Sequence, residues 1–205
     1  ANTCNANGIA IATETCQLAA EALGIAPEDV VVASTGVIGQ SMTIEPFAAG
    51  MKSLVAGLGD HSVLAAEGIM TTDTKAKEIA VEFMVGDTVC KLGGIAKGSG
   101  MIHPDMATML VFLTTDCAIT SQMLQKALST DIQNTFNMVS VDGDTSTNDM
   151  VTILANGQAG NEMITQEGEA YGAFMKALNS VTVYLCRQIA ADGEGATKLV
   201  ECCVT

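Results

Sequence analysis

The chain has 205 residues, with 23 acidic side chains against 9 Lys and Arg, for a formal net charge of −14. That balance argues against nucleic acid or an anionic membrane surface as a partner. Hydrophobic residues make up 48% but aromatics only 3%, so the core must be aliphatic, with the 12 Met filling irregular gaps. No apolar run has the length of a membrane span, and the first residues do not read as a secretory signal. The seven cysteines (Cys4, Cys16, Cys90, Cys117, Cys186, Cys202 and Cys203) form no C-x-x-C pair. They read as reduced thiols in a cytoplasmic protein. His61 and His103 lack ligand spacing to any cysteine, so no metal is expected.

In chain order, "ATETCQLAAEALGI" predicts a helix stopped by Gly24, and "DVVVAS" a short buried strand ended by "TGVIG". "TIEPFAAGMKSLVAGLG" predicts a second helix with Thr43 as N-cap. "EIAVEFMVGDTVCKLGGIAK" alternates on either side of Gly86-Asp87 and predicts a hairpin. "TMLVFLTTD" predicts a strand covered on both faces. Helices are expected over 120–136, over "STNDMVTILANG" and over 169–190, and "TKLVECCVT" reads as a last strand. Hairpins mixed with helices suggest sheets covered by helices rather than a parallel βαβ series. Both ends look abrupt, as in a piece of a longer chain.

Five stretches carry chemistry. "KGSGMIHPDMATML" places the pliable Gly98, Gly100 and Pro104 and the small Ala107 before Thr108. A threonine hydroxyl becomes a good nucleophile when its own α-amino group, freed by cleavage, serves as base. A loop running into a strand is the plain alternative. "STGVIG" follows a strand and could offer backbone N–H groups to an oxyanion, or be a turn. "GIMTTDT" could grip a polar substrate or build Asx and Ser/Thr turns. "VDGDTSTND" begins like a calcium loop at Asp142, Asp144 and Ser146, but Thr147 and Ile153 stand where that loop needs Gly and Glu. A capped helix start without metal is expected there. "DGEGATK" reads as the loop after the last helix.

Taken together and in order, these blocks resemble the ornithine acetyltransferase (glutamate N-acetyltransferase) family of arginine biosynthesis, from about the first residues to the last. The resemblance implies an α/β fold of sandwiched sheets flanked by helices, similar to N-terminal-nucleophile proteins. It implies residues 1–205 as a single partial domain that cuts itself between Ala107 and Thr108. Thr108 would then accept acetyl from N2-acetylornithine and pass it to glutamate, with acetyl-CoA a further possible donor and no bound cofactor. By position, Thr35 and Gly36 look like the oxyanion pair, and Thr74, Lys97 and Glu194 like substrate contacts. The two cleavage pieces would stay associated, in a homo-oligomer. The family's opening segment and C-terminal part are not matched, and His103 and Asp105 flank Pro104 where small or amide residues are expected. Two rival readings remain: an amidase or aminopeptidase of the same architecture, in which water attacks the acyl-threonine, and an inactive truncated domain that only folds or associates.

Overall fold

A computed structural model of the chain describes residues 5–103 and 106–204, and of Met106 and Ala107 the backbone alone. Cys4, Pro104 and Asp105 therefore lie outside the described residues. The chain divides into two compact units, Ala1–His61 and Ser62–Thr205.

The first unit pairs α1 (Gly8–Leu23) with α2 (Glu45–Ala56). Gly24 ends α1 in the left-handed conformation, φ 72°, and its N–H bonds the Ala20 carbonyl, as the sequence predicts. The predicted N-cap of α2 is displaced. The cap position is Ile44, without a side-chain bond, and Pro46 sits in the first turn. Pro there has no N–H to satisfy, so the helix can start without a polar cap. "DVVVAS" forms no strand, because no ladder partner exists among the described residues of this unit.

The second unit is a mixed four-stranded sheet covered by a long helix. After α3 (Ser62–Gly68), β1 (Lys77–Val85) and β2 (Thr88–Lys97) form the predicted antiparallel hairpin. Its two-residue turn puts Gly86 at φ 57°, which glycine alone adopts without a steric penalty. A two-stranded ribbon follows, β3 (Ile102–His103) and β4 (Met106–Ala107), and then β5 (Leu110–Thr115). The predicted third helix begins on Thr120, whose hydroxyl accepts from the Met123 N–H, and runs as α4 (Ser121–Asp131) before breaking into two 3-10 turns. The buried Asp131 carboxylate accepts from Thr182 Oγ1 at 2.6 Å and Asn179 Nδ2 at 2.8 Å. That bond set ties α4 to α5 (Glu169–Ala191), which agrees with the predicted 169–190 helix.

Two elements differ from expectation. "STNDMVTILANG" yields the strand β6 (Met150–Ala155), parallel to β5, not a helix. Val151, Thr152 and Ile153 are β-branched and suit a ladder beside β5. One parallel crossover thus joins an otherwise antiparallel sheet of order β1-β2-β5-β6. Residues 198–204 form no strand either, and Val200 is 83% exposed. Hydrophobicity suited it to a sheet, but no described strand edge receives it. The α/β class with a helix-flanked sheet is as expected.

The core lies between α5 and the sheet. Phe174, Leu178, Val181, Leu185 and Ile189 are fully buried along one helix face, against Leu92, Ala96, Val111 and Leu113. Phe83 meets Phe174 edge-on at 6.0 Å. Gly94 lies beneath Leu185, and a Cβ there would stand 2.3 Å from Leu113 Cδ2. Gly94→Ala should therefore destabilise the unit by about 1–3 kcal/mol through overpacking, with an unchanged fold by circular dichroism and a lower urea midpoint.

Candidate active site

The site is built where β1 starts, β2 ends and α5 ends. Lys77 opens β1 directly opposite Ala96 of β2, so it faces α5. It is 1% exposed. Its ammonium donates to Asp73 Oδ1 and Asp192 Oδ2, both at 2.6 Å. Asp192 is the residue that closes α5. Burial alone would raise both carboxyls. The Lys77 bond outweighs it, with backbone N–H groups of Gly98 and Thr71 for Asp73 and the Thr74 hydroxyl and N–H for Asp192, so both lie below the ordinary carboxylate range.

Around this cluster stand the residues the sequence singles out. The Thr74 hydroxyl and N–H both engage Asp192. Thr72 and the buried Ser99 share a hydroxyl bond of 2.6 Å. The Glu194 N–H donates to the Ser99 carbonyl at 2.7 Å. The Glu194 carboxylate sits over Gly100, where a Cβ would come within 2.8 Å of both its oxygens. Gly100 is thus needed for close approach of an exposed carboxylate, not for a turn angle.

Lys97 ends β2 and is 1% exposed. Burial holds its amine below the usual lysine range, although the charges of Asp73 and Asp149 work in the opposite direction. Its Nζ donates to the Thr108 carbonyl at 3.3 Å. The Thr108 N–H donates to the Met101 carbonyl at 2.7 Å. Thr108 lies in the turn between β4 and β5, not in the strand. Its Oγ1 is buried and makes no hydrogen bond among the described residues. A buried hydroxyl without a partner costs about 1–3 kcal/mol, so such exceptions call for a reason.

Asp142 does not cap a helix, correcting the expectation. Its Oδ2 accepts from the Met101 N–H at 2.6 Å, and its Oδ1 from Ile102 at 3.1 Å and Asp144 at 3.2 Å. Met101 is the one described non-glycine residue at positive φ, 56°. A side chain in that region costs about 1–2 kcal/mol.

The structure thus brings Lys97 and Thr108 into contact and sets Thr74 and Glu194 around the same ion cluster. Thr35, half-buried, and Gly36, exposed, lie in the irregular stretch of the first unit. Asp73, Lys77 and Asp192 carry no motif that marks them in the sequence, although Asp73 lies in "GIMTTDT" and Asp192 in "DGEGATK". Among the buried thiols, burial pushes Cys117 up to about 12 and Cys186 up to about 11, so neither offers a thiolate near neutral pH. No group of described His, Cys, Asp and Glu residues could hold a metal ion. No helix among the described residues is long and apolar enough to cross a membrane.

The model of the ArgJ family matches residues 1–205, and the chain belongs to that family. It is 51% identical over 203 residues to the arginine biosynthesis bifunctional protein ArgJ of Symbiobacterium thermophilum, covering 98% of this chain and 50% of that protein. The Lactococcus lactis protein of the same name is 48% identical over 194 residues, covering 95% and 49%. A crystal structure of the Bacillus halodurans arginine biosynthesis bifunctional protein is 53% identical, with a TM-score of 0.41 over 42% of this chain and 41% of that one. The chain spans about half the length of the curated relatives it matches.

Lys77→Met should destabilise the unit by about 3–5 kcal/mol at pH 7, since it leaves two buried carboxylates facing each other. Both carboxyls are depressed, so their contribution is complete above an unfolded pKa of about 3.9 and is lost as pH falls through the lower folded values. Protonation also relieves repulsion in the variant. Urea melts should therefore show the gap between variant and wild type narrowing below pH ~4; a constant gap would contradict the assignment.

Proposed function

We propose that the parent protein is an acyltransferase that moves an acetyl group from N2-acetylornithine to glutamate through an acetyl-Thr108 intermediate. The observation that carries this is the Thr108 hydroxyl, buried and without a partner among the described residues, in a residue whose N–H and carbonyl are held by Met101 and Lys97. Backbone and side chain are thus separated in role: the first is fixed and the second is free to attack. The relatives' names as arginine biosynthesis bifunctional proteins support the same reading.

Maturation is an acyl shift followed by hydrolysis. Thr108 Oγ attacks the Ala107 carbonyl carbon, and its proton passes to the Thr108 nitrogen as the C–N bond breaks. Water then cleaves the ester, releasing the Ala107 carboxylate and leaving Thr108 with a free amine. That amine is the base for the next step. The Thr108 hydroxyl takes acetyl from N2-acetylornithine, releasing ornithine, and the glutamate amine takes it from the ester. Acetyl-CoA would enter at the same ester as a second donor. Thr35 and Gly36 would supply the oxyanion donors, and Lys97 and Thr74 would hold substrate polar groups. Glu194, exposed beside Gly100, has the charge to pair with the ornithine side-chain ammonium.

The cut need not separate the pieces. β5 lies after the junction, yet it pairs along its length with β2, which lies before it. The pieces should therefore co-elute in buffer and part only in denaturant.

In the full-length parent, Thr108→Ala should remain a single chain by intact mass and lose acetylornithine–glutamate exchange. Residual exchange above a small fraction of wild type would overturn the nucleophile.

Thr35→Ala, removing an oxyanion donor, should lower kcat and kcat/KM together by about a hundredfold. Lys97→Met should raise KM more than it lowers kcat, because a substrate carboxylate is present from the start. The opposite pattern in steady-state kinetics would exchange their roles.

A further inference from the structure

We infer that Asp142 is a positioning residue for self-cleavage, acting by holding Met101 in its left-handed conformation so that the Met101 carbonyl fixes the amide of the bond to be cut. The inference rests on the proposed role of Thr108 and goes beyond it, since Asp142 touches no reacting atom. The chain of contacts is continuous. Asp142 Oδ2 accepts from the Met101 N–H at 2.6 Å and Oδ1 from the Ile102 N–H at 3.1 Å. The Val141 N–H donates back to the Ile102 carbonyl at 2.9 Å. The segment 141–142 is therefore strapped along 101–102 from both sides.

Met101 stands at φ 56°, where a non-glycine residue does not stay unless its surroundings hold it. Its carbonyl accepts the Thr108 N–H at 2.7 Å, and the ribbon pairs Ile102 with Ala107. The peptide between Ala107 and Thr108 is thus gripped through its nitrogen by the residue that Asp142 fixes. In the acyl shift that nitrogen is the leaving group, and its orientation decides whether the Thr108 hydroxyl meets the carbonyl carbon at a productive angle. Asp142 serves as a two-pronged acceptor. Partial burial would raise its carboxyl, but the backbone N–H groups of Met101, Ile102, Asp144 and Asp142 itself outweigh that and keep it below the ordinary range, so both oxygens stay free to accept at neutral pH.

This separates two duties that a structural residue would not separate. If Asp142 only supports the fold, its loss damages cleavage and transfer alike. If it positions the amide for cleavage, its loss damages maturation alone, and a change that lets residue 101 adopt positive φ unaided restores it. Glycine does so at no steric cost.

The test uses the full-length parent, followed by intact mass over time after synthesis. Asp142→Ala should slow self-cleavage by about tenfold or more, as misplaced reacting groups do. The double variant Asp142→Ala/Met101→Gly should regain most of the rate. The same Asp142→Ala change in a protein assembled from two separately made pieces, the second beginning at Thr108, should leave acetylornithine–glutamate exchange near wild type. Cleavage of Asp142→Ala at the wild-type rate, no rescue by Met101→Gly, or equal loss of exchange in the two-piece form would each overturn the inference. An uncut wild-type chain would instead sink the Thr108 reading itself, and this inference with it.

Discussion

The Lys77 ammonium, shut away from solvent between Asp73 and Asp192, is the contact on which the second unit depends. It joins a loop, the first residue of a strand and the end of a helix more than a hundred residues away. A buried cation with one carboxylate is poorly compensated, and with none it is prohibitive. The charge is therefore satisfied only when α5 docks in one register along β1 and β2. Sliding the helix by a turn would keep apolar residues against apolar residues but carry Asp192 about 5.4 Å from Lys77. Packing makes the helix stick, and the ion cluster says where.

The same cluster fixes what lies beside it. Asp73 also accepts from the Gly98 N–H at 2.7 Å, so the loop after β2 is pinned at its first residue. Asp142 pins it again at Met101 and Ile102. Between the pins lie Ser99 and Gly100, which meet the segment after α5. Two unfavourable features coexist in this small volume, a left-handed Met101 and a buried hydroxyl on Thr108 without a partner among the described residues. Each costs about 1–3 kcal/mol, which the aliphatic core between α5 and the sheet can sustain. Departures from local rules that persist in a well-packed region are expected where chemistry is done.

How much of this was legible depended on whether the signal was local. The hairpin showed in alternation around Gly86-Asp87, and α5 in a long apolar stripe, because period and partner lie within one window. The β6 stretch suggests a helix because its apolar residues fit either period. Its partner β5 lies some forty residues earlier, with α4 between. The last residues resemble a strand in sequence because they are apolar, and apolarity does not say whether an edge exists to receive them. At the site, the motif blocks drew attention to Thr108, Lys97, Thr74 and Glu194. The bonds of Asp73 and Asp192 to Lys77 were invisible, since a lysine opening a strand reads as exposed and two of its partners sit in what look like turns. In sequence Asp142 suggests a helix cap, whereas in the structure it caps backbone N–H groups of a loop. Its carboxylate reaches backward across 40 residues to a glycine-rich loop, not forward to a helix.

The placement of Thr108 outside the β5 ladder has a physical logic. A residue inside a central strand has its N–H and carbonyl committed to neighbouring strands, and its side chain projects perpendicular to the strand. A hydroxyl held that way cannot reach the carbonyl carbon of its own peptide bond without breaking the ladder. Two residues earlier the constraint changes. The Thr108 N–H turns to Met101 and its carbonyl to Lys97, while the ladder with β2 begins only at Leu110. The strand then acts as an anchor just downstream, and the ribbon of β3 and β4 as an anchor just upstream. The peptide between Ala107 and Thr108, the bond proposed to be cut, is held between two fixed points without being part of the central sheet, so its cleavage would not require the fold to follow.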